Sequence, residues 1–254
     1  MSVRREIRRS PADRTLDSKS AKQTTRKVGA ARWAWEWTKS LVIAFSLFLL
    51  IRTFLVEAFR IPTGSMENTL LVGDFLLVNK AVYGAQLPMT RSHLPAFDEP
   101  ERGDVVVFVP PHEPDKNYVK RLVGISGDTL EMRNKTLFLN GKALSEPYVR
   151  YSDPENDVYA PSMYWQCEFV PARQDKDCRP TRDNWGPVVV PQGKYMMLGD
   201  NRDDSEDSRY WGFVDRNAIK GKPLFIYYSF DSSTLKPFPW LTHIRWTRIG
   251  GGIH

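Results

Sequence analysis

One tract constrains this chain more than any other, the long apolar run from Trp33 to Val56. Leu41 to Ile51 is apolar apart from Ser46, and Arg52 then interrupts it. That core is shorter than the ~20 residues a spanning helix needs. It crosses a bilayer only with Trp35–Lys39 and Arg52–Phe54 in the two interfaces. Trp33, Trp35 and Trp37 suit an interfacial aromatic belt, with Lys39 snorkelling. The alternative is a buried helix of a soluble domain. Residues 1–32 carry ten Lys/Arg against three Asp/Glu, so the formal charge of +6 sits entirely in this tail and the remainder sums to −1. A basic flank of this kind predicts a disordered cytoplasmic tail, an anchor over 33–56 and an extracytoplasmic region over 57–254. It does not suggest a nucleic-acid partner. Val56-Glu57-Ala58 has the outline of a small-x-small cleavage site. The charged segment before it is too long for a signal peptide, and Arg52 and Glu57 crowd the site, so the tract is read as uncleaved.

Beyond residue 70 the texture becomes β. Short apolar runs at Asp74–Val78, Asp104–Val109 and Tyr118–Val123 are bounded by turn residues. Thr129–Met132 and Thr136–Leu139 read as hairpin strands, and Asn140-Gly141 is a type I′ turn signal. Strand texture resumes at Lys194–Leu198 and Pro223–Phe230. Between about Glu146 and Pro191 the composition changes to Pro, Tyr, Trp and Asp with poor periodicity. The expected fold is therefore mainly β: a transmembrane helix, then an antiparallel β catalytic domain with an inserted loop-rich subdomain. The core would span about 57–128 and 192–254, and the insert about 129–191. Cys167 and Cys178 are the only cysteines. They are too few for the usual four-ligand zinc site. They form a disulfide or remain free thiols, and an oxidising compartment favours the bond.

Pro62 fixes its own φ and pushes Ile61 towards extended backbone, while Gly64 permits a sharp bend at Ser65. A hydroxyl presented this way is either a nucleophile or part of a plain turn. A serine nucleophile needs a base. His93, His112, His243 and His254 lie in no recognisable catalytic setting. Lys120 shares a strand face with Tyr118 and Leu122. Partial desolvation there would favour the neutral amine, a competent base. A solvated edge-strand lysine fits the same pattern, and Arg121 on the opposite face leaves the buried side undecided. The Gly199–Gly212 stretch fails as a calcium loop, because Arg202 falls where an oxygen ligand is needed and the turn glycine is missing. If extended, it would project Ser205, Asp207 and Arg209 to one side.

RIPTGSM, YVKRLVGISGD and GDNRDDSEDSRYWG, in this order and directly after an anchor, closely resemble the signature segments of bacterial type I signal peptidases. The resemblance covers roughly residues 40 to 250, and a C-terminal strand at His243–Ile249 shares it. It implies that Ser65 attacks the scissile carbonyl and that Lys120 is the general base. The Ser65 amide and the Thr63 hydroxyl would form the oxyanion hole. Ser205 would orient Lys120, with Asp207 and Arg209 supporting the loop. No metal or other cofactor is required. The implied partners are signal peptides of exported preproteins and the lipid bilayer, at the bacterial inner membrane. Glu67-Asn68 stands where the family often carries a proline before Thr-Leu, which loosens the turn slightly. Two other functions fit parts of the pattern, a catalytically inactive signal-peptide-binding factor and a self-cleaving Ser-Lys protease on the same scaffold.

Overall fold

The computed structural model describes residues 29–86, 90, 94–169, 178–234 and 236–253. The basic tail up to residue 28, His93 and His254 lie outside that set. Helix α1 (Ala30–Phe54) contains no Pro or Gly, and its Ala and Leu residues favour it. Its Arg32–Phe54 stretch is long and apolar enough to cross a membrane. The chain falls into two units that part between Phe45 and Ser46, within α1, and the β structure belongs to the second.

The chain passes into β1 (Val56–Arg60) after a single residue, Leu55. There follow β2 (Asp74–Asn79), β3 (Val105–Phe108), β4 (Tyr118–Gly124), β5 (Thr129–Arg133), β6 (Thr136–Leu139), β7 (Lys142–Ala143), β8 (Trp185–Val189), β9 (Lys194–Leu198), β10 (Val214–Asp215) and β11 (Ile219–Ser229). A seven-stranded sheet has the order β1-β2-β11-β3-β4-β9-β10, and a four-stranded sheet the order β7-β6-β5-β8. Every pairing between these strands is antiparallel. Asn140 and Gly141 both have positive φ, as a type I′ hairpin turn demands. The register of β11 on β2 shifts next to Pro223, whose missing N–H cannot join a regular ladder.

β2 alternates buried and half-buried residues, whereas all of β3 and the last five residues of β4 are buried on both faces. Lys120 and Arg121 are therefore both inside. Beneath the Ser65 bend, Met66 and Leu70 pack with Leu76, Val78, Val105, Val107 and Ile226. Burying each of these two side chains contributes about 1.5–3 kcal/mol, which pins the bend from below. A second cluster joins Leu130, Met132, Trp185 and Val188 of the smaller sheet to Met196 and Leu198 of β9.

Three expectations need correction. His243–Ile249 is not a strand: it makes one bridge, Phe230 to Ile244, and then a 3₁₀ turn at Trp246–Arg248. Its arginines reach sideways instead of laddering. Arg245 donates to the Val72 carbonyl, and Arg248 donates to Asp74 at 2.6 Å and to the Thr69 carbonyl. Residues 199–209 are not uniformly extended either. A 3₁₀ turn covers Arg202–Asp204, and Asp207 caps a short helix α2 (Ser208–Trp211), so Arg209 is helical. Finally, β1 and β8 were not foreseen as strands, and β11 begins four residues before the expected Pro223.

Candidate active site

Ser65 follows the exit of β1. Ile61 still pairs with the next strand through its amide to the Asp74 carbonyl, and the chain then folds over in turns closed by Glu67 to Gly64 and Leu70 to Met66. Lys120 comes from the middle of β4, opposite Val106 of β3. The two side chains meet. Lys120 Nζ is 2.6 Å from Ser65 Oγ, and both residues are buried. Burial pushes the Lys120 amine down to about 8; the Asp207 carboxylate opposes the fall and the Arg209 charge adds to it. An amine held near neutrality and in contact with a hydroxyl can take that hydroxyl's proton. Thr63 Oγ1 lies 3.5 Å from Ser65 Oγ. The Ser65 amide makes no hydrogen bond among the described residues. His112 stacks on Trp211 at 5.6 Å and lies edge-on to Tyr118, and His243 bonds Thr242, so neither engages Ser65.

A clamp missed in the sequence fixes the Ser65 segment against β4. Arg121 donates two bonds to Asp200, at 2.8 and 2.7 Å, with both side chains buried. Asp200 also accepts from Thr69 Oγ1 at 2.5 Å, and Asn201 bonds the Ser65 and Gly64 carbonyls. The signal was present in Arg121, a charge in the middle of an apolar strand. Its partner lies 79 residues away, and a buried, bidentate carboxylate does not announce itself by local pattern.

The 199–211 loop is built around a second buried ion pair. Arg209 Nε donates to Asp207 at 2.8 Å with both side chains fully buried. Burial alone would raise the Asp207 carboxyl, but Arg209 and the Gly199 amide hold it below the usual carboxylate range. Ser205 is buried in the same cleft as Ser65 and Lys120. Its Oγ has no partner in hydrogen-bond geometry, although it lies close enough to Asp207 to favour the ionised carboxylate. No hydrogen bond joins Ser205 to Lys120.

Gly199 is where these pieces touch. A Cβ there would lie 2.2 Å from Ser205 Oγ and 2.5 Å from the Ser65 carbonyl oxygen. Neither can retreat without moving the bend or the loop. Gly199→Ala is expected to cost about 1–3 kcal/mol by overpacking and to cut activity with it. Thermal unfolding of the purified variant checks this, and an unchanged midpoint would show that the loop yields freely.

A disulfide joins Cys167 and Cys178, eleven residues apart. It closes a loop at the end of a 3₁₀ helix over Pro161–Glu168, and the neighbouring Trp165 and Gln166 both donate to the Arg209 carbonyl. The bond therefore steadies the outer wall of the Asp207–Arg209 loop. Replacing both cysteines by serine is expected to lose roughly 3 kcal/mol on the chain-entropy account. Urea unfolding measures it, and equal midpoints would remove the bond from the stability account.

Ser65 and Lys120 open into a cleft of about 690 Å³. Its walls are Phe59–Thr63, Lys116–Val119 and the Asp203–Glu206 segment. Antiparallel β scaffold, cleft, buried hydroxyl and contacting amine together have the make-up of a serine peptidase. The chain matches the family described as "Signal peptidase, peptidase S26" over residues 34–228. It is 37% identical over 231 residues to the signal peptidase I of Pseudomonas aeruginosa, an alignment covering 85% of this chain and 78% of that protein. It is 38% identical to the signal peptidase I of Pseudomonas fluorescens with the same coverage. Against that of Aquifex aeolicus it is 35% identical, covering 78% of this chain and 84% of the relative. The chain belongs to the signal peptidase family, peptidase S26, and within it to the bacterial type I group.

Proposed function

We propose that this chain is a membrane-anchored endopeptidase that removes N-terminal signal peptides from exported preproteins after an Ala-x-Ala-like site, with Ser65 as nucleophile and Lys120 as general base. The observation that carries the reading is the 2.6 Å contact between Lys120 Nζ and Ser65 Oγ inside an open cleft. An extended precursor lies between the Arg60–Thr63 and Lys116–Val119 walls and pairs as an added strand. Neutral Lys120 takes the Ser65 proton as the hydroxyl oxygen attacks the scissile carbonyl. The Ser65 amide, free of other bonds, and the Thr63 hydroxyl donate to the developing oxyanion. Lys120 returns its proton to the leaving amine, and a water molecule then hydrolyses the acyl-enzyme. The unpartnered Ser205 hydroxyl is available to orient the amine, and Asp207 with Arg209 holds that loop in shape. In this reading α1 crosses the inner membrane with its basic tail in the cytoplasm, and residues 57–254 lie outside, with about 129–191 inserted into the catalytic core.

Detergent-solubilised protein incubated with a purified preprotein tests the proposal. Cleavage at one small-x-small site is expected. Binding without cleavage would indicate an inactive adaptor instead, and self-cleavage alone a repressor-like protease.

A further inference from the structure

We propose that the last turn of α1 and the strand ends beside it form a binding site for the phosphate of an anionic phospholipid headgroup. The inference rests on the reading that α1 spans the membrane. A cleft of about 620 Å³, sharing no residue with the Ser65 cleft, opens here. Its walls include Leu49, Arg52 and Thr53 of α1, Glu57 of β1, Lys80 after β2 and Lys220 of β11. Three cations thus face one carboxylate. Glu57 is engaged by Lys80 at 3.4 Å, while Arg52 and Lys220 form no ion pair among the described residues. Two positive charges are left in excess in a concave site, which suits an anion.

One feature of the site opposes an anion. The C-terminal end of a helix carries partial negative charge. Lys80 meets it, since its Nζ lies 3.5 Å from the Arg52 carbonyl. The attraction therefore falls to Arg52 and Lys220, with the Thr53 hydroxyl and Asn217 amide as further hydrogen-bonding groups on the wall. Position selects a lipid over a free ion. Arg52 is the first charge after the apolar run from Leu41, so the site lies where hydrocarbon gives way to headgroups. Leu49, one turn deeper on the same wall, would meet the acyl chains.

Each cation near an anionic membrane surface contributes about fivefold in affinity, so removing both should weaken binding about twenty-fivefold. The test is native mass spectrometry of the full chain in detergent with defined mixtures of phosphatidylglycerol and phosphatidylcholine. The wild type should retain phosphatidylglycerol in preference. The Arg52→Gln/Lys220→Gln double variant should lose that preference while still cleaving a soluble peptide substrate, and Lys142→Gln, on the smaller sheet, should keep it. Equal retention of both lipids, or an unchanged preference in the double variant, would overturn the site. So would tight binding of inorganic phosphate that displaces the lipid. Alkaline extraction of membranes examines the anchor separately. If alkali strips the wild type while the lipid preference persists, the anchoring fails and the headgroup site stands.

Discussion

Ser65→Ala and Lys120→Ala are each expected to reduce preprotein processing by on the order of 10⁴-fold or more, the scale seen when a nucleophile or its base is removed from a serine protease. The two groups act as one unit across 2.6 Å, so the double variant should be no slower than the worse single variant. Neither substitution should unfold the protein. Ser65 Oγ makes no bond that holds the bend together. The bend is held by Met66, Leu70, the Asn201 bonds and the Thr69–Asp200–Arg121 clamp. Initial rates of cleavage, with circular dichroism as the control on folding, give the answer. A folded single variant that retains a tenth of wild-type activity would remove its residue from the chemistry.

The parts legible in the sequence are those whose physics is local. β2 was visible as a short apolar run bounded by turn residues. The Asn140-Gly141 turn was visible because few other residue pairs accept two positive φ values. Lys120 stood out through its apolar neighbours on β4. The parts that stayed hidden depend on long-range packing. β1 was missed because Glu57 and Arg60 spoil the apolar pattern of Val56–Arg60 directly after the anchor, and what makes it a strand is its pairing with β2. β8 carries Gly186 and Pro187, which argue against a strand, yet the sheet tolerates them beside a register shift. The Arg121–Asp200 clamp joins segments that no window of sequence sees together. Gly199 reads as an ordinary turn glycine before an aspartate; its real constraint is the approach of Ser205 and the Ser65 carbonyl.

The pH dependence follows from burial of Lys120. Its folded pKa is depressed from 10.5 to about 8, a shift equivalent to about 3 kcal/mol against the charged form. Between those two values the unfolded chain binds the proton that the folded chain has released. Stability from this group therefore rises with pH across that window and is constant below it. Activity responds earlier. Below the folded pKa only the neutral fraction of Lys120 can act, so the rate should fall about tenfold per pH unit. Lys120→Arg keeps the charge but cannot deprotonate at any working pH, so it should be inactive throughout.

The profile of kcat/KM against pH, measured on a peptide spanning an Ala-x-Ala site, tests the Ser65–Lys120 mechanism most directly. The predicted curve rises with unit slope and levels above an inflection at about 8, with no activity in Lys120→Arg at any point. A curve that is flat from about pH 6 to 10, or a measurable rate in the arginine variant, would contradict neutral Lys120 as the base.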